Sequence, residues 1–373
     1  MTQQHRIVCV IGTRPEAIKM APVVTALHAS DWAKCVVVVT AQHRDLLDQM
    51  LDRLEVPVDH DLNLMTVGQS PSELISRMLP ALDRVLEGER PDVVLAQGDT
   101  TTVFVAALAS FHRKIAFGHV EAGLRTRDLA QPFPEEGYRQ MVARIARWHF
   151  APTQTAAAHL HAESVLKENI HVTGNTGIDT LLHTVGKLGP AQAQGRRMLL
   201  LTAHRRENFG QALRNILTAV LELTERYADI EVIYPVHPNP NVQECARALL
   251  ANHARIHLLP PQDYFEFVDL MRRAHLILTD SGGVQEEAPA LAKPVLVLRE
   301  QTERPEAIDM GVARLVGTRQ SDIFSAACKL LDDPGEYAAM ARGASPYGDG
   351  RAAARIVELL RPEAPALHSA AAS

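Results

Sequence analysis

Cysteine is scarce in this chain: Cys9, Cys35, Cys245 and Cys328 are four residues among 373. They lie far apart, and no pair has metal-ligand spacing. Two fall in expected core strands, so the expectation is buried, reduced thiols in a cytosolic protein. Long apolar runs are also missing. None reaches the roughly 18–20 residues a membrane helix needs. The start, Met-Thr-Gln-Gln-His-Arg, passes directly into a strand, with no long apolar region or small-residue cleavage site, so no export signal is expected. Basic residues are not in excess: 38 Lys and Arg stand against 44 Asp and Glu, a net charge of −6. That argues against nucleic acid as the main partner. There is no P-loop, no nucleophile elbow, no complete GxGxxG, and no His with Asp or Glu at metal spacing. The expectation is therefore no metal, no NAD or other cofactor, and no serine or cysteine nucleophile.

What is present is the composition of a soluble globular protein, 46% hydrophobic and 22% charged, at a length that suits two domains. Short apolar runs alternate with amphipathic segments. Expected strands are Ile7–Ile11, Cys35–Thr40, Val93–Gln97, Ile115–Val120 and His149–Ala151. A second set follows at Met198–Thr202, Ile230–Pro235, Ile256–Leu259, Leu276–Thr279 and Val295–Leu298. Helical patterns fall between them, such as Ala17–Ala29, Ser72–Leu86, Asn208–Tyr227 and Tyr264–Ala274. Continuous apolar strands alternating with helices predict parallel sheets covered on both faces. The fold class is α/β: two doubly wound, Rossmann-like domains with a cleft between them, divided near Gly174. The first spans residues 1–173 and the second begins at 174. The stretch after Arg361, rich in Ala, Ser and Pro, is expected to be a disordered tail.

The candidate motifs sit at strand carboxyl ends, where such sheets bind ligands. Leu276–Glu287 (LILTDSGGVQEE) runs from strand through a Ser281-Gly282-Gly283 turn into a helix start. Small residues let backbone N–H groups approach a ligand, and a helix N-terminus favours an anion, so the turn suits a phosphate. Glu287, about a turn further on, suits a ribose diol. The plain alternative is a strand–turn–helix connection that happens to carry two glycines. After the first strand, Gly12-Thr-Arg-Pro-Glu-Ala-Ile-Lys19 offers Arg14 and Lys19 to a diphosphate, or to solvent. The residue before Pro15 is expected to be extended. Asp99 ends another strand in Gln97-Gly-Asp-Thr100, where it is either a cap or a functional carboxylate. His119–Thr126 contributes Glu121 and Arg125, and Pro132-Phe-Pro-Glu-Glu136 hands Glu135 and Glu136 to a helix start. Asp99, Glu121 and Glu135 on one face would repel one another and raise at least one pKa, so that an acid and a base coexist near neutrality. On the second domain, Thr202–Asn208 holds His204 for proton transfer and Arg205 with Arg206 for phosphate. His237, Gln262, Phe267 and Thr302-Glu-Arg304-Pro305 lie on the same domain.

The strings GTRPEAIKMAP, AQHR, QGDTTT, HVEAGLRT, PFPEE, TGNTGID, AHRREN, PVHPNP, TDSGGVQEEAP, TERPE and PYGDGRA, in this order, closely resemble the bacterial non-hydrolysing UDP-N-acetylglucosamine 2-epimerases. They cover the chain from Gly12 to about Gly350. The resemblance implies the two-domain fold of GT-B glycosyltransferases, with a second domain to 345 and a helix at 346–361 crossing back to the first. It implies interconversion of UDP-GlcNAc and UDP-ManNAc in the cytoplasm, by a homodimer, feeding surface polysaccharide. It points to Asp99, Glu121, Glu135 and His204 for proton transfer. For UDP it points to Arg14, Lys19, Gln262, Phe267, Ser281, Gly282, Gly283, Glu287 and Arg304. A second UDP-GlcNAc, acting as activator, would meet Gln42, Gln69, Glu136, Arg205 or Arg206, and His237. Position 68 is Gly where some members with that site carry Arg. The chemistry the resemblance implies is loss of UDP to a 2-acetamidoglucal and re-addition from the other face. A GT-B glycosyltransferase would share the nucleotide motif but would need an acceptor.

Overall fold

The structure is a computed structural model that describes residues 4–40, 44–64, 66, 68–190 and 195–362, with only the backbone for 44–46. Strand formation follows from continuous apolar sequence. Ile7 to Ile11 and Val36 to Val39 are all almost fully buried, which requires cover on both faces of the sheet. The first sheet contains β1 (His5–Ile11), β2 (Ala33–Val39), β3 (His60–Asp61), β4 (Val93–Gln97), β5 (Ala116–Val120), β6 (Trp148–Ala151) and β7 (Ile170–Val172). They run in the order β3-β2-β1-β4-β5-β6-β7, every pair parallel. The second sheet contains β8 (Arg197–Thr202), β9 (Ile230–Pro235), β10 (Ile256–Leu259), β11 (Leu276–Thr279), β12 (Val295–Val297) and β13 (Ala313–Leu315). Their order is β10-β9-β8-β11-β12-β13, again all parallel. Both are doubly wound sheets.

Helices cover the sheets through apolar stripes of helical period. Helix Pro71–Glu89 buries Leu74, Met78, Leu82 and Leu86. Helix Gln211–Arg226 buries Leu213, Ile216, Leu217, Val220 and Leu223. The chain divides into two compact units. One runs to Thr180 and takes up the chain again from Gly350; the other is Leu181–Asp349. The returning helix, Ala352–Leu359, packs on helix Arg14–His28 within the first unit. Its opening N–H groups, on Ala352 and Ala353, donate to Asp179 at 3.2 and 2.8 Å.

Strand order decides where chemistry can sit. In the first sheet the winding reverses between β1 and β4; in the second, between β8 and β11. Chains leave these neighbouring strands toward opposite faces and open a crevice at their carboxyl ends. The segments there are Gly12–Arg14 and Gly98–Thr100 in one unit, and Ala203–Arg205 and Asp280–Gly282 in the other.

Several details differ from the sequence expectation. The short edge strands β3, β7 and β13 have too few residues to show a pattern. Arg14 is not extended but is the first residue of its helix, with Thr13 as cap. The preference of a residue before proline is overridden by a capping box, Glu16 reaching back to Thr13 while Thr13 caps Glu16. The helix expected from Asn208 starts at Gln211, after a separate short turn at Arg206–Asn208. Apart from Pro362, the expected tail lies outside the described residues.

Candidate active site

At the first unit's switch point, β1 turns sharply at Gly12. A Cβ there would lie 2.0 Å from Thr102 Oγ1 and 2.8 Å from Thr40 Oγ1, so only glycine lets the turn approach these hydroxyls. One strand over, Asp99 follows Gly98, whose φ is +89°. The Asp99 carboxylate meets Arg139 through Oδ2, with Nε at 2.8 Å and Nη2 at 2.6 Å. Next again, Glu121 sits at a positive φ of 63° at the end of β5. Its Oε1 is 2.5 Å from Lys19 Nζ, and its Oε2 accepts from the Gln97 amide. Glu135 opens helix Glu135–Ile145 and is half-buried. Glu136, fully buried, accepts from the N–H groups of Thr126 and Arg127 and from Gln140 and Arg139. Burial works against its charge, but these donors outweigh it and hold its pKa below the usual value.

The mutual repulsion expected among Asp99, Glu121 and Glu135 is met by cations: Arg139 stands against Asp99 and Lys19 against Glu121. A carboxyl with a strongly raised pKa does exist here, but it is Glu16. Burial pushes it to about 7, although Thr100, Gly12 and Thr13 all donate to it. Arg125, expected in the same loop, turns aside to pair with Glu163 at 2.6 Å.

In the second unit, Asp280 organises the switch point. It is fully buried. Its Oδ2 accepts the N–H groups of His204 and Arg205, each at 2.8 Å, and the Asn208 amide at 3.0 Å. His204 Nδ1 lies 3.1 Å from the other oxygen. Burial raises the pKa of Asp280, but the His204 contact and the two N–H groups more than offset it, and the net pKa is below the ordinary aspartate value. His204 stacks on His237, ring centres 5.5 Å apart. Burial, then the neighbouring His204, lowers the pKa of His237.

These two histidines line a cavity of about 230 Å³ with Gln262, Phe267, Ser281 and Val284. Residues far apart in sequence thus share one pocket. Beside it, Ser281 is the cap of helix Gly282–Glu287. A Cβ on Gly282 would lie 3.5 Å from Arg304 Cζ and 3.7 Å from Arg205 Nη2, so two guanidinium groups flank the turn. Arg304 is held by Glu286 at 2.7 Å, and its backbone N–H donates to Thr302 at 3.1 Å. Arg206 lies in the short turn that follows Arg205. Burial, and then the Glu287 carboxylate, raise the pKa of Tyr264.

Gln69 lies just before helix Pro71–Glu89 and accepts from Thr66 and Arg77. Gln42 lies outside the described residues. Sequence reasoning missed Glu16, Gln97, Thr100, Arg139 and Asp280 as polar contacts of the site. Glu16, Gln97, Thr100 and Asp280 stand inside motifs already singled out, so strand-end position was a usable signal for them. Arg139 had one weaker signal, its place one turn after Glu135. Among the described residues, no three His, Cys, Asp or Glu side chains are placed to hold a metal ion, and no helix is long and apolar enough to cross a membrane.

Fold and site define a doubly wound α/β enzyme of the GT-B type, with two Rossmann-like sheets. The chain belongs to the UDP-N-acetylglucosamine 2-epimerase family, whose model matches residues 25–361. It is 48% identical over 359 residues to the UDP-N-acetylglucosamine 2-epimerase of Bacillus subtilis, covering 95% of this chain and 94% of that one. To the enzyme of the same name from Escherichia coli K12 it is 47% identical over 369 residues, covering 95% and 98%. Among solved structures, the UDP-GlcNAc 2-epimerase of Neisseria meningitidis bound to UDP-GlcNAc superposes with a TM-score of 0.86 at 45% identity, over 95% of this chain and 99% of that chain.

Proposed function

We propose that this protein interconverts UDP-N-acetylglucosamine and UDP-N-acetylmannosamine by inverting C2 of the sugar. Family membership over nearly the whole chain carries the reading. The hydrogen on C2 is not activated by a carbonyl, and its direct removal would be very slow. Elimination solves this. As the C1–O bond to UDP breaks, positive charge develops at C1 and the C2 proton becomes acidic. A base takes that proton, leaving a 2-acetamidoglucal and UDP. Re-addition of UDP at C1, with a proton delivered to the opposite face of C2, completes the inversion.

The site residues are assigned accordingly. Asp99, Glu121, Glu135 and His204 transfer protons, each such group typically worth about 10²–10⁴ in rate. Arg139 meets Asp99 through Oδ2 only, and we assign Oδ1 to the substrate. Asp280 beside Nδ1 of His204 sets the tautomer, leaving Nε2 for the reaction. Gln262 and Phe267 take the uracil in the cavity they line with Ser281. Glu287 takes the ribose. Ser281, Gly282, Gly283 and Arg304 hold the diphosphate, with Arg14 and Lys19 opposing its growing charge as it leaves. In this reading Lys19 serves two anions, because it also pairs with Glu121.

The finer claims belong to the same reading: a homodimer in the cytoplasm that supplies ManNAc units to surface polysaccharide. A second UDP-GlcNAc would activate it through Gln42, Gln69, Glu136, Arg205, Arg206 and His237. The carboxylates ranged along the first unit's switch point favour this reaction over glycosyl transfer, which needs no proton removal at C2.

Proton NMR of the protein with UDP-GlcNAc in D₂O tests the proposal. The expected result is UDP-ManNAc with deuterium at C2 of both sugars. UDP-GlcNAc bound but unchanged would sink it, and free ManNAc accumulating with UDP would replace it with a hydrolytic reaction.

A further inference from the structure

Thr100 is the cap residue of helix Thr101–His112, yet its side chain makes no cap bond. A cap threonine ordinarily accepts an N–H from two or three residues further on. Here the hydroxyl donates instead to Oε1 of Glu16, at 2.6 Å, on another helix. Oε2 of Glu16 accepts the N–H of Gly12 at 2.5 Å and that of Thr13 at 3.2 Å. Glu16 is 2% exposed. Three donors, the Thr100 hydroxyl and the Gly12 and Thr13 N–H groups, converge on this one carboxyl.

A helix cap alone does not account for this arrangement. The same capping box at Ser70 and Glu73 stands at the surface, as such boxes usually do. At Glu16 the box is buried, and burying a carboxylate is costly. The neighbouring helix also gives up its own cap bond to supply the third donor. Two local rules are broken at one point, and such breaks concentrate at functional sites. Burial, and to a smaller extent the nearby Asp99, raise the pKa of Glu16 to about 7 against these donors.

The carboxylate ties together two turns that are 84 residues apart in sequence. One is the turn after β1, which leads into Arg14. The other is the turn after β4, which carries Asp99. Arg14 and Asp99 each adjoin a residue bonded to Glu16.

We propose that Glu16 is a positioning residue for the reaction: through Thr100 it fixes where Asp99 is held, and through Gly12 and Thr13 it fixes the turn that presents Arg14. The inference rests on the epimerase reading above. It assigns to Glu16 no contact with the sugar.

The test compares Thr100→Val, which keeps the shape and removes the donor, with Thr100→Ser, which restores it. Small displacements of a reacting group cost up to about 10² in rate, so Thr100→Val is expected to lower kcat about tenfold while KM for UDP-GlcNAc stays within about twofold. Thr100→Ser should recover most of the loss. Glu16→Gln keeps the volume and is the second route should Thr100→Val not fold. It should also lower kcat with little change in KM, and adding Thr100→Val to it should slow the enzyme much less than the product of the two single losses, because the bond that Thr100→Val removes is one of those that Glu16→Gln already disturbs. Wild-type kcat in Thr100→Val, losses that multiply in full in the double variant, or KM rising in step with the fall in kcat would each overturn the inference. A wild-type protein that makes no UDP-ManNAc would remove the proposed function and this inference together. Normal wild-type turnover with an indifferent Thr100→Val removes the inference alone.

Discussion

Replacing Asp280 with asparagine separates two roles of that carboxylate. Its Oδ2 takes three donors, the His204 and Arg205 N–H groups and the Asn208 amide, and its Oδ1 faces His204 Nδ1. In Asp280→Asn the amide oxygen can keep the three donors on one side. The NH₂ group must then face His204 Nδ1, which forces that nitrogen to accept and moves the ring proton to Nε2. The loop is retained and the tautomer is reversed. Charge-assisted bonds are roughly twice as strong as neutral ones, so weakening three of them costs on the order of 1–3 kcal/mol, part of it offset because a buried charge is gone. The catalytic cost should be larger. Losing a correctly protonated acid or base removes about 10²–10⁴ in rate, or about 3–5 kcal/mol in the barrier. The assays are kcat for UDP-GlcNAc epimerisation and the urea midpoint on the same preparation. UDP affinity, by calorimetry, should move less than kcat. A variant with kcat within about threefold of wild type would refute the tautomer argument. A variant that loses rate only as far as it loses folded protein would reduce Asp280 to a loop anchor. The wild-type pKa of Asp280 lies below its unfolded value, so its stabilising contribution is complete above the unfolded pKa, near 3.9, and is lost as pH falls through the folded one.

Gly12→Ala should destabilise the protein by about 1–3 kcal/mol through overpacking, since its Cβ would meet Thr102 Oγ1 at 2.0 Å; an unchanged urea midpoint would contradict the close approach. Glu16 has the opposite linkage from Asp280. Its pKa is raised from 4.5 to about 7, so its contribution is fully present below pH 4.5 and is lost as pH rises through about 7. Wild type should therefore lose up to about 3 kcal/mol relative to Glu16→Gln between those values, and parallel stability–pH curves would contradict the burial cost. Arg139→Lys keeps a charge but loses the paired contacts to Asp99 and the reach to Glu136; kcat should fall by about 10² with KM within a few-fold, and a normal kcat in steady-state assays would show that Asp99 does not depend on it.

How much was legible in the sequence differs from element to element. Strands such as Val93–Gln97 and Leu276–Thr279 were readable to the residue because parallel strands buried on both faces are unbroken apolar runs. His60–Asp61 was not readable, because a two-residue edge strand is defined by its partner β2 rather than by its own composition. The turn at Arg14 was misread because a local proline rule lost to a capping box whose carboxylate is also held from another strand's end. Asp99, Glu121, His204 and Ser281 were expected just past strand ends, and the structure places them there. Their partners Arg139, Gln97 and Asp280 were not assigned, because contact across a sheet depends on strand order, which no single motif encodes.

By itself, the sequence determined the alternation of strands and helices, the glycine turns at strand ends and the family to which the chain belongs. All of these depend on local pattern: period, side-chain size and spacing along one segment. Only the tertiary structure decided which strands are neighbours, and with that which charges meet. Lys19 reaches Glu121, Arg139 reaches Asp99, and Asp280 reaches His204, because the sheets reverse their winding at β1–β4 and β8–β11. The energy of a charge pair falls with distance in space, and separation along the chain does not predict it.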